Sequence, residues 1–312
     1  MDFMLDLLGT LPGAVAQGLL WSVMALGVYL TYRILDIADL TVEGSITTGA
    51  AIAVQWILRG GNPFVALLAA FCGGMLAGLV TGLLHTQFKI PALLSSILTM
   101  IALYSVNLRI MDKANISINP REYDTIFSGV QKLNLLSDES LNRNFAVILV
   151  TAVIVLIVIG ILYWFFGTEL GSAIRATGNN PHMVRAQGIN TKTMIITGLV
   201  LSNGLVALSG AMIAQQQLYS DVQMGIGAIV IGLASVIIGE LFFGKGKFFA
   251  RLISIIIGAT LYRIIIAFVL KLGLNPNDLK LFTAISIAIA FALPMLRSYL
   301  MTLVKSARKE AE

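Results

Sequence analysis

The sequence predicts an all-α polytopic membrane protein, on three observations. Hydrophobic residues make up 57% of the chain and charged residues only 12%, far from the quarter charged that is usual in soluble domains. Mean hydropathy is +0.89. The apolar residues fall in uncharged runs, and about 20 such residues in a helix rising roughly 1.5 Å each cross the hydrocarbon of a bilayer.

In chain order the runs occupy residues 7–32, 44–58, 60–88, 90–108, 145–168, 193–220, 222–239, 252–270 (interrupted by Arg263) and 281–296, which gives nine segments. The second is too short to span comfortably, so a broken or tilted helix is expected there. No Lys or Arg precedes Arg33, so the first run lacks the basic flank of a cleavable signal peptide and is read as retained. The whole of 1–312 reads as one membrane domain, with a loop at about 112–144 and another at about 167–192.

The formal charge of +5 does not describe a nucleic-acid surface, because the basic residues are scattered between apolar runs. They describe a topology. With nine alternating segments, Arg33, Lys89, the group Arg175, Arg185 and Lys192, the group Lys245, Lys247 and Arg251, and the tail group Arg297, Lys305, Arg308 and Lys309 all fall on one side. The positive-inside rule makes that side the cytoplasm. A cytoplasmic (inner) membrane location is expected, with the N-terminus and Asp2 and Asp6 outside, the 112–144 loop outside and the C-terminus inside.

The 167–192 stretch carries its own helix signals. Asn180 suits an N-cap, Pro181 the first helical position and Gly188 the left-handed residue that ends a helix, which predicts two turns over 181–187. Thr168, Gly171, Arg175, Ala176, Gly178, Asn180, Ala186, Gly188 and Ile189 match a pattern. The stretch resembles the cytoplasmic coupling loop of ABC importer permeases of the branched-chain amino acid and monosaccharide type. The resemblance implies a short helix seated on a separate ATP-binding cassette subunit, with Gly171, Arg175, Ala176, Gly178, Asn180, Pro181, Arg185 and Gly188 as coupling residues.

A second likeness lies at Asp39-Leu-Thr-Val-Glu-Gly-Ser45, which is similar to the family's Asp-Leu-Ser-Val-Gly element beside a broken helix. Thr41 stands where serine is usual, and Glu43 is inserted before Gly44. This form most resembles permeases described as tryptophan/tyrosine-type transport components. The resemblance further implies a solute pathway shared with a second permease copy and fed by an extracytoplasmic solute-binding protein. ATP and magnesium are then held by the partner ATPase, and no cofactor by this chain.

Asp39, Thr41, Glu43, Gly44, Ser45 and Thr48 are pathway candidates, although the acids are equally consistent with wet helix ends, and the small residues Gly44, Ser45 and Thr48 are better accounted for by helix packing. Arg263 is another, because an unpaired arginine at mid-bilayer costs about 2.5–3.5 kcal/mol on insertion scales; Glu240 is one candidate partner, although the topology sets it at a different depth, and a structural ion pair is as consistent with Arg263 as a gate. Gly74, Gly78 and Gly82 form a small-residue ladder for close helix packing. Cys72 is expected as a small buried packing residue.

Gly239 to Lys245 imitates the start of a phosphate-binding loop, but Gly246 replaces the required Ser or Thr. His85 and His182 are isolated, so no metal site is inferred, and no catalytic set is evident. A secondary transporter driven by an ion gradient is the alternative function. Acids and broken helices in both halves would mark it, and they are nearly absent here.

Overall fold

The computed structural model describes residues 2–133, 138–243 and 246–271, together with residues 281, 284 and 285. These residues form helices α1 (Asp2–Tyr29), α2 (Thr41–Leu58), α3 (Pro63–Thr86), α4 (Ala92–Met111), α5 (Ser128–Gln131), α6 (Glu139–Gly167), α7 (Glu169–Asn179), α8 (Pro181–Ala186), α9 (Thr191–Gln217), α10 (Ala228–Phe243) and α11 (Phe248–Lys271). Two strands, β1 (Asn115–Ser117) and β2 (Tyr219–Asp221), complete them.

Among the described residues, six helices are long and apolar enough to cross a bilayer: Gly9–Ile34, Pro63–Thr86, Ala92–Met111, Glu139–Gly167, Thr191–Gln217 and Phe248–Lys271. Helix α10 offers a shorter apolar stretch at Ala228–Leu241, and α2 is short as anticipated. The ninth run, 281–296, the Lys245 site and the basic tail lie outside the described residues. The architecture is therefore an all-α polytopic membrane protein.

Local chemistry sets the helix ends. Asn62 accepts from the Phe64 N–H at 2.8 Å with Pro63 at the first position of α3. Asp138 caps α6 by accepting from the Ser140 and Leu141 N–H groups, so α6 begins before the uncharged run that signalled it. Hydrogen bonds from the Ser140 hydroxyl and from those N–H groups hold the Asp138 carboxyl below its ordinary range.

Helix α1 tightens into a π turn, Leu30–Ile34, and stops at Asp36, whose φ of 56° is left-handed. Residues 35–40 are irregular. The expected break thus falls before α2, and α2 itself runs unbroken.

Helix α9 is the hub, packed on α1, α2 and α3. The ladder does what its spacing predicted: a Cβ on Gly74 would strike the Asn203 carbonyl oxygen, one on Gly78 the Leu199 carbonyl oxygen, and one on Gly82 would sit 3.1 Å from the Ile196 Cα. Backbones touch there because the side chains are absent. Cys72 contradicts its expectation. It is exposed, because the ladder turns the inner face of α3 toward α9 and leaves Cys72 on the outer face.

The two ends of the bundle differ. At one end β1 and β2 pair antiparallel, with Ile116 opposite Ser220. This small sheet was not visible in the hydropathy, since its strands sit in separate loops. Gln215 ties the same end by accepting from the Ile126 N–H at 3.0 Å and donating to the Pro63 carbonyl at 3.2 Å. At the other end lie α7 and α8, the π turn and the start of α11, which gathers Arg33, Arg175 and Arg251 around one cavity. The described basic groups at 33, 175 and 251 share an end, as the alternating scheme requires.

Replacing Gly78 by Val is expected to cost about 1–3 kcal/mol or more through overpacking, read as a lower melting temperature in detergent. Gly160→Val should leave it nearly unchanged, since nothing lies within 4 Å of a Cβ there.

Candidate functional site

Polar residues in a bilayer-sized bundle need partners, and the Asp39 region supplies them to one another. Asp39 is 2% exposed. Its Oδ1 accepts from the Thr41 N–H at 2.9 Å and its Oδ2 from Asn203 Nδ2 at 2.7 Å. Ser45 donates to Asn203 Oδ1 at 2.7 Å, and the Thr41 and Thr81 hydroxyls meet at 2.7 Å. Asn203 lies near the middle of α9, so α2 starts deep within the bundle.

Thr48 satisfies itself by donating to the Gly44 carbonyl at 2.9 Å, the ordinary back-bond of a buried helical threonine. Gly44 also packs on Leu103 of α4. Asp39, Thr41 and Ser45 therefore form a buried structural knot with Asn203 and Thr81, and Thr48 is buried without being tied to it. Neither Asn203 nor Thr81 stood out from the sequence, because each sits singly in an apolar run.

Glu43 faces another way. Its Oε1 accepts from the Gly227 N–H at 2.9 Å, at the entrance to α10. With Gly44 it lines a cavity of about 290 Å³ whose other walls include Tyr104, Ser105, Asn107 and Ile226.

Arg263 does not join this group. Its guanidinium lies 4.1 Å over the Trp21 ring, where α11 meets α1, a cation–π contact that partly offsets its burial. The candidate pairing with Glu240 is not formed. Glu240 accepts from Arg33 at 2.9 Å instead, because both stand at the α7–α8 end. Arg263 Nε has no hydrogen-bond partner among the described residues.

The 167–192 stretch contains two helices where sequence reading anticipated one. Thr168 caps α7 by accepting from the Gly171 N–H at 3.3 Å. Alternating buried and exposed residues make α7 amphipathic, with Ala173, Ile174 and Thr177 inward. A Cβ on Gly171 would meet the Phe165 carbonyl, and one on Gly178 the Ile34 carbonyl. Arg175 Nη2 donates to the Phe166 carbonyl at 2.9 Å, and the guanidinium stands 5.4 Å from the Phe248 ring centroid. Ala176 is half-buried and its carbonyl accepts from the Asn180 N–H at 2.9 Å.

Helix α8 follows its signals closely. Asn180 accepts from the Met183 N–H at 3.1 Å, Pro181 is first, and Gly188 has a φ of 83°. Arg185 Nε donates to Thr191 Oγ1 at 2.9 Å and fastens α8 to α9. Val184 is the buried residue of the helix; His182 and Met183 project outward. Gly239 to Phe243 lie inside α10, so the described part of the phosphate-loop imitation is helix with no strand directly before it. No group of three potential metal-binding side chains occurs among the described residues.

Residues 11–293 match the model of a family described as branched-chain amino acid transport system / permease component. The chain belongs to this family. A tyrosine transport system permease protein of Clostridioides difficile is 44% identical over 277 residues, covering 89% of this chain and 88% of that one. A ribose import permease protein, RbsC, of Escherichia coli is 24% identical over 238 residues, covering 76% and 70%. A branched-chain amino acid transport permease described as probable, LivH, of Methanocaldococcus jannaschii is 25% identical over 216 residues, covering 66% of each chain. The chain is thus a membrane permease component of a transport system and not an enzyme.

Within this permease, Asn203→Leu is expected to cost about 2–5 kcal/mol, since it strands the Asp39 carboxylate and the Ser45 hydroxyl in the interior. Thermal unfolding in detergent would register it as loss of most of the folded fraction. Asn203→Asp, which keeps an acceptor for Ser45 but faces Asp39 with a like charge, is expected to fare no better.

Proposed function

We propose that the chain is the transmembrane subunit of a bacterial ABC importer, that it forms half of a solute pathway, and that it is driven by a separate ATP-binding cassette subunit. The observation that carries this is α8. A capped six-residue helix buries Val184 and displays His182 and Met183, which is the form of a docking knob. Behind it, α7 rests on the Ile34 backbone at the end of α1, so force on α8 reaches the start of the irregular 35–40 segment.

ATP and magnesium belong to the partner in this reading. A second copy of the chain completes the pathway, and an extracytoplasmic binding protein delivers the solute. The positive-inside count supports a cytoplasmic α7–α8 end and an outside N-terminus. The name of the tyrosine transport permease relative supports an amino acid, and specifically an aromatic one, as solute.

An ion-gradient-driven secondary transporter is the competing reading. It is disfavoured by the role of Asp39, which is occupied by two hydrogen bonds within a structural knot instead of facing a cavity.

The test is co-purification of the tagged permease in mild detergent, followed by ATP-driven uptake of tyrosine in proteoliposomes. A co-purifying ATPase and ATP-dependent uptake support the importer; uptake by the chain alone under an ion gradient overturns it. Met183→Asp is expected to abolish ATPase recovery and to lower uptake at least about tenfold, as loss of a buried apolar anchor does, while insertion and melting temperature hold. Gly178→Ala is not a clean probe, because its Cβ would displace the Ile34 backbone.

A further inference from the structure

Between α2, α4 and the turn after β2 lies the cavity of about 290 Å³ bounded by Glu43, Gly44, Tyr104, Ser105, Asn107 and Ile226 among others. Its wall carries an incompletely hydrogen-bonded buried amide and an acid. Asn107 is 1% exposed; its Nδ2 reaches the Gly44 carbonyl at only 3.4 Å, and its Oδ1 has no partner among the described residues. A buried amide oxygen left unpaired costs about 1–3 kcal/mol and calls for an explanation.

Glu43, whose Oε1 accepts from the Gly227 N–H, brings an acid into the same wall within a membrane domain, where acids are rare and mark functional sites. The remaining surface suits a side chain, with the Tyr104 ring, Met100 and Ile101 on α4 facing Val222 and Ile226. Ser105 and Tyr104 are exposed, so the cavity opens past α4.

We propose that this cavity is a subsite for the primary ammonium group of a passing amino acid. The Glu43 carboxylate supplies the charge, Asn107 Oδ1 accepts one N–H, and the Tyr104 side carries the solute's apolar part. A carboxylate and an amide oxygen both accept, the Asn107 amide nitrogen being turned to the Gly44 carbonyl, which fits an N–H donor with a positive charge. It places the pathway against α4 instead of through the Asp39 knot. The identity of the ligand rests on the importer reading; the charge preference of the cavity does not.

The experiment uses the full permease with its co-purified partners in proteoliposomes, in a Cys72→Ala, Ser105→Cys background. Modification rates of the introduced thiol are compared for a trimethylammonium-bearing and a sulfonate-bearing methanethiosulfonate, each normalised to its rate with free thiol. The cationic reagent is expected to win by about tenfold, the scale of local electrostatic enrichment. Glu43→Gln, which keeps an acceptor for the Gly227 N–H, should bring the ratio close to one. Tyrosinamide should slow modification, whereas 3-(4-hydroxyphenyl)propionamide, lacking the amine, should not. Asn107→Ala should weaken that protection and leave the charge ratio in place.

An unchanged ratio in Glu43→Gln, equal protection by both amides, or an introduced thiol that neither reagent reaches overturns the subsite. Labelling needs no ATP, so the two readings fail separately. A charge preference without ATP-driven uptake removes the importer and leaves the subsite, and uptake without the preference does the reverse.

Discussion

The fold depends on how closely α9 lies against its neighbours. Apolar side chains gain nothing from leaving lipid for one another, so helices in a bilayer associate through van der Waals contact and hydrogen bonds. Here Gly74 and Gly78 remove the side chains that would hold α3 off α9, and carbonyl oxygens of Leu199 and Asn203 occupy the space. Helix α2 approaches the opposite side in the same manner, with Gly49 against the Ala207 backbone and Gly210 against that of Ile46. Asn203 then hydrogen-bonds Asp39 and Ser45 from the centre of this contact. The packing excludes water, and the exclusion makes those hydrogen bonds costly to lose.

The irregular backbone is tolerated on the same terms. Non-helical chain at membrane depth survives only where protein satisfies its polar groups. Residues 35–40 are closed by the Ile37 N–H bond to the Thr31 carbonyl and by Asp39 on the Thr41 N–H. The turn leading into α10 is held by Glu43 on the Gly227 N–H. Two acids close in sequence thus secure the entrances of two short helices, α2 and α10, and a negative carboxylate at a helix N-terminus is favoured by the helix dipole. The inserted Glu43 is explained at least in part by this second entrance.

Hydropathy made the class and most spans legible, because segment length against bilayer thickness is a one-dimensional property. The cap signals at Asn180, Pro181 and Gly188 made α8 legible to within a residue, since capping is local. What escaped was whatever depends on a distant partner. Cys72 reads as apolar whether it faces helix or lipid. Glu240 carries no mark that it meets Arg33 and not Arg263. Asn203 is one amide in a long apolar run until folding sets it beside Asp39. Helix α7 was hidden because Gly171 and Gly178 lower its propensity, and both are there for contact with Phe165 and Ile34.

These contacts also divide the residues that the family resemblance groups together. Asp39 and Ser45 bond Asn203 of α9, Thr41 bonds Thr81 of α3, and Thr48 bonds back to Gly44, so each of these hydrogen bonds has both ends in the protein. Glu43 and Gly44, on the same turn of the same helix, face α4 and open space. A helix beginning at mid-bundle can serve both purposes only because its faces diverge: the inner one is locked by Asn203, and the outer one responds to what sits beside α4. Between the α7 contact at Ile34 and the start of α2 lie residues 35–40, which are irregular.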